Sequence, residues 1–315
     1  MSHFLTLGET MVSLVPQGDE SIAYGPSLKM RIAGAESNTA IGIKKLGSTA
    51  TFISAIGDDS IGDYLLRMLR AEGLDTTYID INKEHRTGIM FKDPLPSDTF
   101  VYYYRERSAA SQMKPELLSD SAFKNADIFH FTGITPILSD DCEATIRKDI
   151  ALAQDNQCLI SFDPNIRAKL WKNIDYTPLM KELAAQSDYL LLGLSEAERL
   201  YGTTDIKELT RLILQSKKIK AFAIKNGKEG AWVIDSTQCH FIPPHPVVSI
   251  DSVGAGDAFN AGFLTGVLAN KDLYTCGLMG AINGAFATQT KGDIEGLLST
   301  EELHHILNQT APCHR

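Results

Sequence analysis

The chain has 315 residues, a formal charge of −9, 43% hydrophobic residues and 22% charged residues. That is a globular composition spanning about one or two domains, long enough to need no disulfide or metal staple. No apolar run approaches the ~20 residues of a membrane span, and an acidic chain lacks the basic face of a general nucleic-acid binder, so neither membrane nor nucleic acid is expected as a partner.

In chain order, Phe4 to Leu7 opens as a strand, after a start that lacks the basic-then-apolar order of a signal peptide. Ile22 to Ile32 reads as β-hairpin material. Gly34 to Leu46 predicts a helix ending at Gly47, with Ala35, Ala40, Ile43 and Leu46 for its apolar face. Thr51 to Ala55 is a strand, and Ser60 to Leu69 a helix stopped by Gly73. Thr87 to Arg105 is a second hairpin, turning at Asp93-Pro94-Leu95-Pro96-Ser97-Asp98. Short apolar runs follow at Asp127 to Phe131, Leu159 to Phe162, Asp188 to Leu192 and Ala221 to Lys225, as buried parallel strands require. Helices are expected over Asp257 to Ala269, Leu273 to Thr288 and Thr300 to Leu307.

This alternation predicts an α/β fold with a mainly parallel central sheet flanked by helices. The two hairpin segments interrupt the rhythm and read as a small sheet beside it, a lid. The expected organisation is a single domain over residues 1–315, with lid strands inserted at about 12–33 and 86–108. The cysteines Cys142, Cys158, Cys239, Cys276 and Cys313 are odd in number and form no CxxC pair, which points to free thiols in a reducing cytosol and a cytoplasmic protein.

The most informative segment is Asp251-Ser252-Val253-Gly254-Ala255-Gly256-Asp257, which follows a proline-rich stretch read as a strand and precedes an apolar helix. A small-residue turn entering a helix offers unpaired N–H groups and a positive dipole end, a hole for an anion such as phosphate. Asp257 beside that hole would repel a bound phosphate. The choice makes sense if the carboxylate takes a proton from a hydroxyl attacking phosphorus. The plainer alternative is a helix start with an acidic cap.

The segment resembles the C-terminal signature DTxGAGDxF of the ribokinase-like (PfkB) sugar kinases, with Phe259 completing it and Ser252 in place of Thr. Ala33-Gly34-Ala35-Glu36-Ser37-Asn38-Thr39-Ala40 is similar to that family's N-terminal GG-x-x-x-N-x-A stretch, with Ala33 for the first glycine. The resemblance covers nearly the whole chain. It implies a three-layer α/β core with a β-lid, Asp257 as the base, and Gly254, Ala255 and Gly256 as the anion hole.

Ile224-Lys225-Asn226-Gly227-Lys228-Glu229-Gly230 links two strands. Alone it reads as a plain hairpin turn. Its resemblance to the family's phosphate-contacting turn implies that Lys225, Gly227 and Gly230 meet the nucleotide. Asn283 resembles the family's asparagine beside adenine, and Asn165 is carried over to the same side. No Walker A pattern occurs, so ATP is held otherwise, with Mg²⁺ bridging its phosphates through few protein ligands. The family's Asn-x-x-Glu metal motif reads Gly193-Leu194-Ser195-Glu196 here. Glu196 is therefore the metal candidate, with a solvated helix start as the alternative.

In Phe100-Val101-Tyr102-Tyr103-Tyr104-Arg105, alternation puts Tyr103 and Arg105 on one face. Arg105 beside Tyr103 on a lid strand suits a carboxylate clamp, though a surface Arg is often merely solvated. Arg167 lies just past a strand's carboxyl end, where open α/β sheets bind ligands. Tyr103 to Ser111 resembles the YYRxxSAAS stretch of 2-keto-3-deoxygluconate kinases within the family. Phe131 to Thr135 and Arg167-x-x-Leu170-Trp171 are similar to the same branch. The likeness implies that Gly34, Asn38, Tyr103, Arg105 and Arg167 bind a sugar acid. A fructokinase or ribokinase is the rival reading, and an inactive sugar or nucleotide sensor the rival of another class. Ile22, Ile32 and Phe91, if exposed on the lid, would favour a dimer or a multiple of one.

Overall fold

The computed structural model describes residues 2–95, 98–117 and 120–310. The strands are β1 (His3–Leu7), β2 (Met11–Pro16), β3 (Leu28–Ala33), β4 (Thr49–Gly57), β5 (Ile79–Asn82), β6 (Ile89–Leu95), β7 (Asp98–Tyr104), β8 (Ile128–Thr132), β9 (Leu159–Asp163), β10 (Tyr189–Gly193), β11 (Ala221–Lys225), β12 (Ala231–Asp235) and β13 (Cys239–Ile242). Among the described residues, nine form one sheet in the order β13-β12-β11-β10-β9-β8-β1-β4-β5. From β11 to β5 all pairings are parallel, and β12 and β13 add antiparallel.

Period-two alternation sends side chains to both faces of this sheet. Leu5, Leu7, Phe129, Phe131, Phe162, Leu190 and Leu192 build one core. Phe4, Phe52, Ile128 and Leu191 build the other. The first core is covered by α4 (Asp140–Asp155), α6 (Thr177–Ala185), α7 (Leu194–Tyr201) and α8 (Ile206–Ile213), with the short α3 (Asp120–Phe123) and α5 (Ala168–Trp171) at its margin. The second is covered by α1 (Ala35–Lys45), α2 (Ser60–Ala71), α9 (Ala255–Leu268) and α10 (Leu273–Ala287). The last helix, α11 (Thr300–Thr310), packs Leu303 against Leu46 and Ile282. Two cores with a sheet between them make three layers.

The remaining strands form a separate sheet, β3-β2-β6-β7, with β2 and β6 parallel and the outer pairs antiparallel. Its inner face carries Met11, Ala33 and Met90 with Val101 and Tyr103 packed on them. Phe100, Tyr102 and Tyr104 face outward and are exposed. The alternation read for β7 therefore holds.

Three expectations need correcting. The first hairpin pairs Met11–Pro16 with Leu28–Ala33, and Ile22–Tyr24 between them is a single 3-10 turn capped by Ser21. Ile32 is 2% exposed and belongs to the second core, while Ile22 and Phe91 are half-buried. Among the described residues the exposed large apolar groups of the lid are instead Tyr24, Met30 and the β7 aromatics. Finally, the proline-rich stretch 243–249 pairs with no strand, because proline donates nothing to a ladder. Of the turn expected over Asp93 to Asp98, Asp93 to Leu95 belong to β6 and Asp98 opens β7, while residues 96–97, like Cys313, lie outside the described residues. Cys142, Cys158, Cys239 and Cys276 are free thiols, and no described helix is long and apolar enough to cross a membrane.

Candidate active site

Strand order reverses between β1, which continues to β4, and β8, which continues to β9. Loops leaving the carboxyl ends diverge there and open a crevice. A cleft of about 1040 Å³ occupies this place, with the inner face of the lid sheet as its roof. Gly34, Asn38, Tyr103, Arg105, Asn165, Arg167, Glu196, Lys225, Gly227, Gly230, Gly254, Ala255, Gly256 and Asp257 all line it.

The turn before α9 behaves as its sequence requires. Gly254 has φ 87°, and a Cβ there would meet the backbone of Asp293 at 3.1 Å. Ala255 N–H donates to Ser252 O and Ala258 N–H to Gly254 O. Among the described residues no backbone carbonyl takes the N–H groups of Gly256 or Asp257. These are free helix N-terminal donors facing the cleft, an anion site.

Asp257 is buried in the first turn of α9. Its Oδ2 accepts from Asn38 Nδ2 at 2.9 Å, and its Oδ1 from Asn165 Nδ2 at 3.4 Å. Burial pushes its carboxyl up to about 7, against the pull of the Asn38 hydrogen bond and the Arg167 charge, with Asp163 and Asp293 adding to the rise. A carboxylate held near neutrality is matched to proton abstraction. Asn38 comes from α1, whose start at Gly34 has φ 141° and so little room that a Cβ would strike the Glu9 carbonyl.

Toward α7 lies a polar triad. Lys225 Nζ is 2.8 Å from Asp163 Oδ2 and 3.1 Å from Asn260 Oδ1, and Asn260 Nδ2 donates to the same Asp163 oxygen at 2.6 Å. Burial would raise the Asp163 carboxyl, but the Lys225 charge and these hydrogen bonds hold it below its ordinary value. Lys225 Nζ also stands 3.7 Å from where a Gly256 Cβ would be, so its charge reaches the anion turn. Glu196 spends its oxygens on Ile166 N–H at 2.7 Å and Gly193 N–H at 2.6 Å. Burial, and then the Asp163 charge, push its carboxyl up.

Gly193 thus stands in a capping box without a side-chain cap. No cluster of three or more metal-ligating side chains occurs among the described residues. With Asp163 and Glu196 already engaged, a hydrated Mg²⁺ held mainly by phosphate oxygens is the metal that fits.

Asn283 departs from the rest. It is 0% exposed and does not line the cleft. Its Nδ2 donates to Ala258 O at 2.7 Å, and its Oδ1 accepts from Leu298 N–H at 3.2 Å. It fastens α10 to α9. Ala281, Gly284, Ala285 and Thr288 present α10 to the cleft instead, opposite Pro244 to Val247.

At the lid end, Arg105 is buried and paired with Glu9, which leaves the end of β1 and also accepts from Ser108 Oγ at 2.6 Å. The guanidinium lies 5.6 Å from the Tyr103 ring centre. Glu36 receives Thr132 Oγ1 at 2.7 Å and Thr135 Oγ1 at 2.8 Å, while burial raises its carboxyl. Arg167 is exposed and forms no salt bridge among the described residues. Three buried polar atoms here have no hydrogen-bond partner among the described residues, Asn38 Oδ1, Arg105 Nε and Glu9 Oε2, the last of them ion-paired with Arg105. Sequence reading missed Glu9, Glu36 and Asp163. The available signal was position, since each sits at or just beyond a strand or helix end facing the switch point.

The model of the pfkB family of carbohydrate kinases matches residues 1–300. The chain belongs to this family. The kinase is 31% identical to a 2-dehydro-3-deoxygluconokinase of Bacillus subtilis over 99% of its own length and 97% of the relative's. It is 25% identical to Fructokinase-2 of Solanum lycopersicum, covering 96% of the chain and 95% of the relative. Among solved structures, a 2-dehydro-3-deoxygluconokinase from Thermotoga maritima superposes with a TM-score of 0.89 at 25% identity, covering 98% of this chain and 100% of that one. The fold of the kinase is ribokinase-like, and it is a sugar phosphotransferase.

Proposed function

We propose that the kinase transfers the γ-phosphoryl group of ATP to the terminal hydroxyl of 2-keto-3-deoxygluconate, giving the 6-phosphate. The observation that carries the acid over a neutral sugar is the pair of arginines at the lid end. Arg105, ion-paired with Glu9 through its terminal nitrogen, has no acceptor for its Nε among the described residues, and Arg167 has no carboxylate partner among them. An acceptor with its own carboxylate answers both by charge-assisted hydrogen bonds. Asn38 Oδ1, without a donor, suits one of its hydroxyls.

In this reading the acceptor hydroxyl lies against Asp257, which takes its proton as the oxygen attacks. The transition state is loose, so the protein contributes mainly position and charge. The N–H groups of Gly256 and Asp257 receive the developing negative charge, with Lys225 behind them. ATP lies along Lys225, Gly227 and Gly230 toward the gap between α10 and Pro244 to Val247. Mg²⁺, when bound with ATP, offsets phosphate charge. The lid roof excludes water, which would otherwise compete as acceptor.

The test is ADP release measured over keto-sugar acids, fructose, ribose and nucleosides, with Mg²⁺ present and omitted. The keto acid should be turned over best and only with the metal. Far better turnover of fructose would overturn the substrate assignment in favour of a fructokinase. Removing the carboxylate partner by Arg167→Ala should raise KM for the acid about tenfold or more, with KM for ATP little changed. An unchanged KM for the acid would remove Arg167 from its recognition.

A further inference from the structure

One buried charge beside the site has no part in the scheme above. Lys92 lies on lid strand β6, on the same face as Met90, and is 1% exposed. Its Nζ is 2.8 Å from Asp251 Oδ2 and 2.6 Å from Asp293 Oδ1. Taking an ammonium out of water is costly unless it is well paired. Burial works against its charge, yet the Asp293 and Asp251 carboxylates hold it above the ordinary lysine value. The compact ammonium meets both carboxylates from an enclosed position, where a larger planar guanidinium has to displace them.

These aspartates flank the anion turn. Asp251 Oδ1 accepts from Val253 N–H at 3.1 Å, one residue before Gly254. Asp293 lies on the other side, with its backbone and Cβ 3.1–3.3 Å from where a Gly254 Cβ would stand. Asp293 Oδ2 also faces Asn38 Nδ2 at 3.4 Å, the amide that donates to Asp257 at 2.9 Å. A polar path therefore runs from the lid strand through Lys92, Asp293 and Asn38 to Asp257. The other lid ties to this loop, Arg31 to Glu295 and Lys291 to Asp19, are partly exposed, and such pairs contribute little.

We propose that Lys92 is a positioning residue for phosphoryl transfer: its lid-borne ammonium clamps Asp251 to Asp293 and so holds the Gly254–Gly256 turn and Asn38 in working geometry. This rests on the reading of that turn and Asp257 as the reacting site. Without the ammonium, two buried carboxylates face each other unpaired, and their repulsion or protonation moves the turn they hold. The loss falls on kcat, because the turn meets the migrating group. Among the described residues Lys92 Nζ bonds Asp251 and Asp293 and nothing that lines the ATP side along α10 and residues 244–247.

The experiment is Lys92→Ala, assayed with whichever acceptor the wild-type kinase uses best. Turnover should fall about 100-fold with KM for ATP little changed. Ethylammonium chloride, which returns a primary ammonium to the vacated space, should recover it. Tetramethylammonium chloride at equal ionic strength should not. Wild-type kcat, or a folded variant that no primary amine improves, overturns the proposal. Should Lys92→Ala not fold, Lys92→Arg keeps the cation. It should still lose about tenfold in kcat because the fork has to displace the two carboxylates, and wild-type kcat there overturns the proposal as well. Asp257→Asn, run in parallel, separates the two claims. If it keeps wild-type turnover, the reading of the site fails. If it is inactive while the Lys92 variants are normal, only the clamp fails.

Discussion

At the scale of single residues, the buried carboxyl of Asp257 carries a stability cost. Its carboxyl, raised by burial to about 7, binds a proton in the folded state over a range where the unfolded chain, near the ordinary ~3.9, does not. Stability is therefore lost as pH rises through that window. Asp257→Asn removes the buried charge, so its Tm should exceed that of the wild type by more at pH 8 than at pH 5. An equal difference at both would mean that the carboxylate is not held up by burial. The same variant should lose about 100- to 10,000-fold in kcat while still binding ATP, as measured by calorimetry.

Asp257 and its turn were legible as cleft residues because the signal is local: four consecutive residues bring helix-start N–H groups and a buried carboxyl together. Arg105 was legible as a cleft residue but not in its pairing, since Glu9 is 96 positions away and meets it only through the lid's seating on β1. Lys92 was not legible, because its partners Asp251 and Asp293 lie 159 and 201 positions away. The partners of Asn283 were not legible, because its amide turns inward to Ala258 O and Leu298 N–H, groups 25 and 15 positions away.

Among the elements, the buried strands were the most legible. A parallel strand covered on both faces must be apolar throughout, and Leu190 to Leu192 or Phe222 to Ile224 admit no other reading. The strand–turn–strand at Lys225 was read as one unit, but what fixes its lysine is a partner on β9. Removing that partner's charge balance by Lys225→Met leaves Asp163 buried and unpaired, which should cost about 3–5 kcal/mol in denaturant unfolding at pH 7. Because Lys225 and its companions hold the Asp163 carboxyl low, the stabilisation is present above the ordinary carboxylate range and lost as pH falls. The difference between wild type and variant should therefore shrink toward pH 3. A constant difference would contradict the pairing. The elements misread were those whose order comes from elsewhere: the 3-10 turn Ile22–Tyr24 is fastened by Asp93 accepting from Ile22 N–H at 3.0 Å, a bond that no local pattern announces.

The whole molecule is a three-layer body with a small sheet as roof, and the roof has an outer face. Phe100, Tyr102 and Tyr104 stand exposed there, Tyr104 at 64%. Exposed aromatics in a row on a sheet are a liability that pairing removes. A second copy of the chain covering this face is the expected arrangement, giving a dimer or a multiple of one by sedimentation, shifted toward monomer by Tyr104→Lys. A monomeric mass in the wild type would refute it. Fold class was legible at this scale because alternation of apolar runs and helices repeats along the chain. The joint between roof and body was not, since it consists of contacts such as Lys92 to Asp293 that span 201 positions.

Loss of a hydroxyl proton to Asp257, as phosphate migrates past the adjoining helix start, is tested most directly by the pH dependence of kcat/KM for the acceptor. That profile reports the free enzyme's groups. It should fall tenfold per pH unit below about 7, the value to which Asp257 is pushed, and Asp257→Asn should abolish the limb along with the activity. A profile flat from about pH 5 to 8, or an Asp257→Asn enzyme with the same limb and near-normal rate, would contradict it.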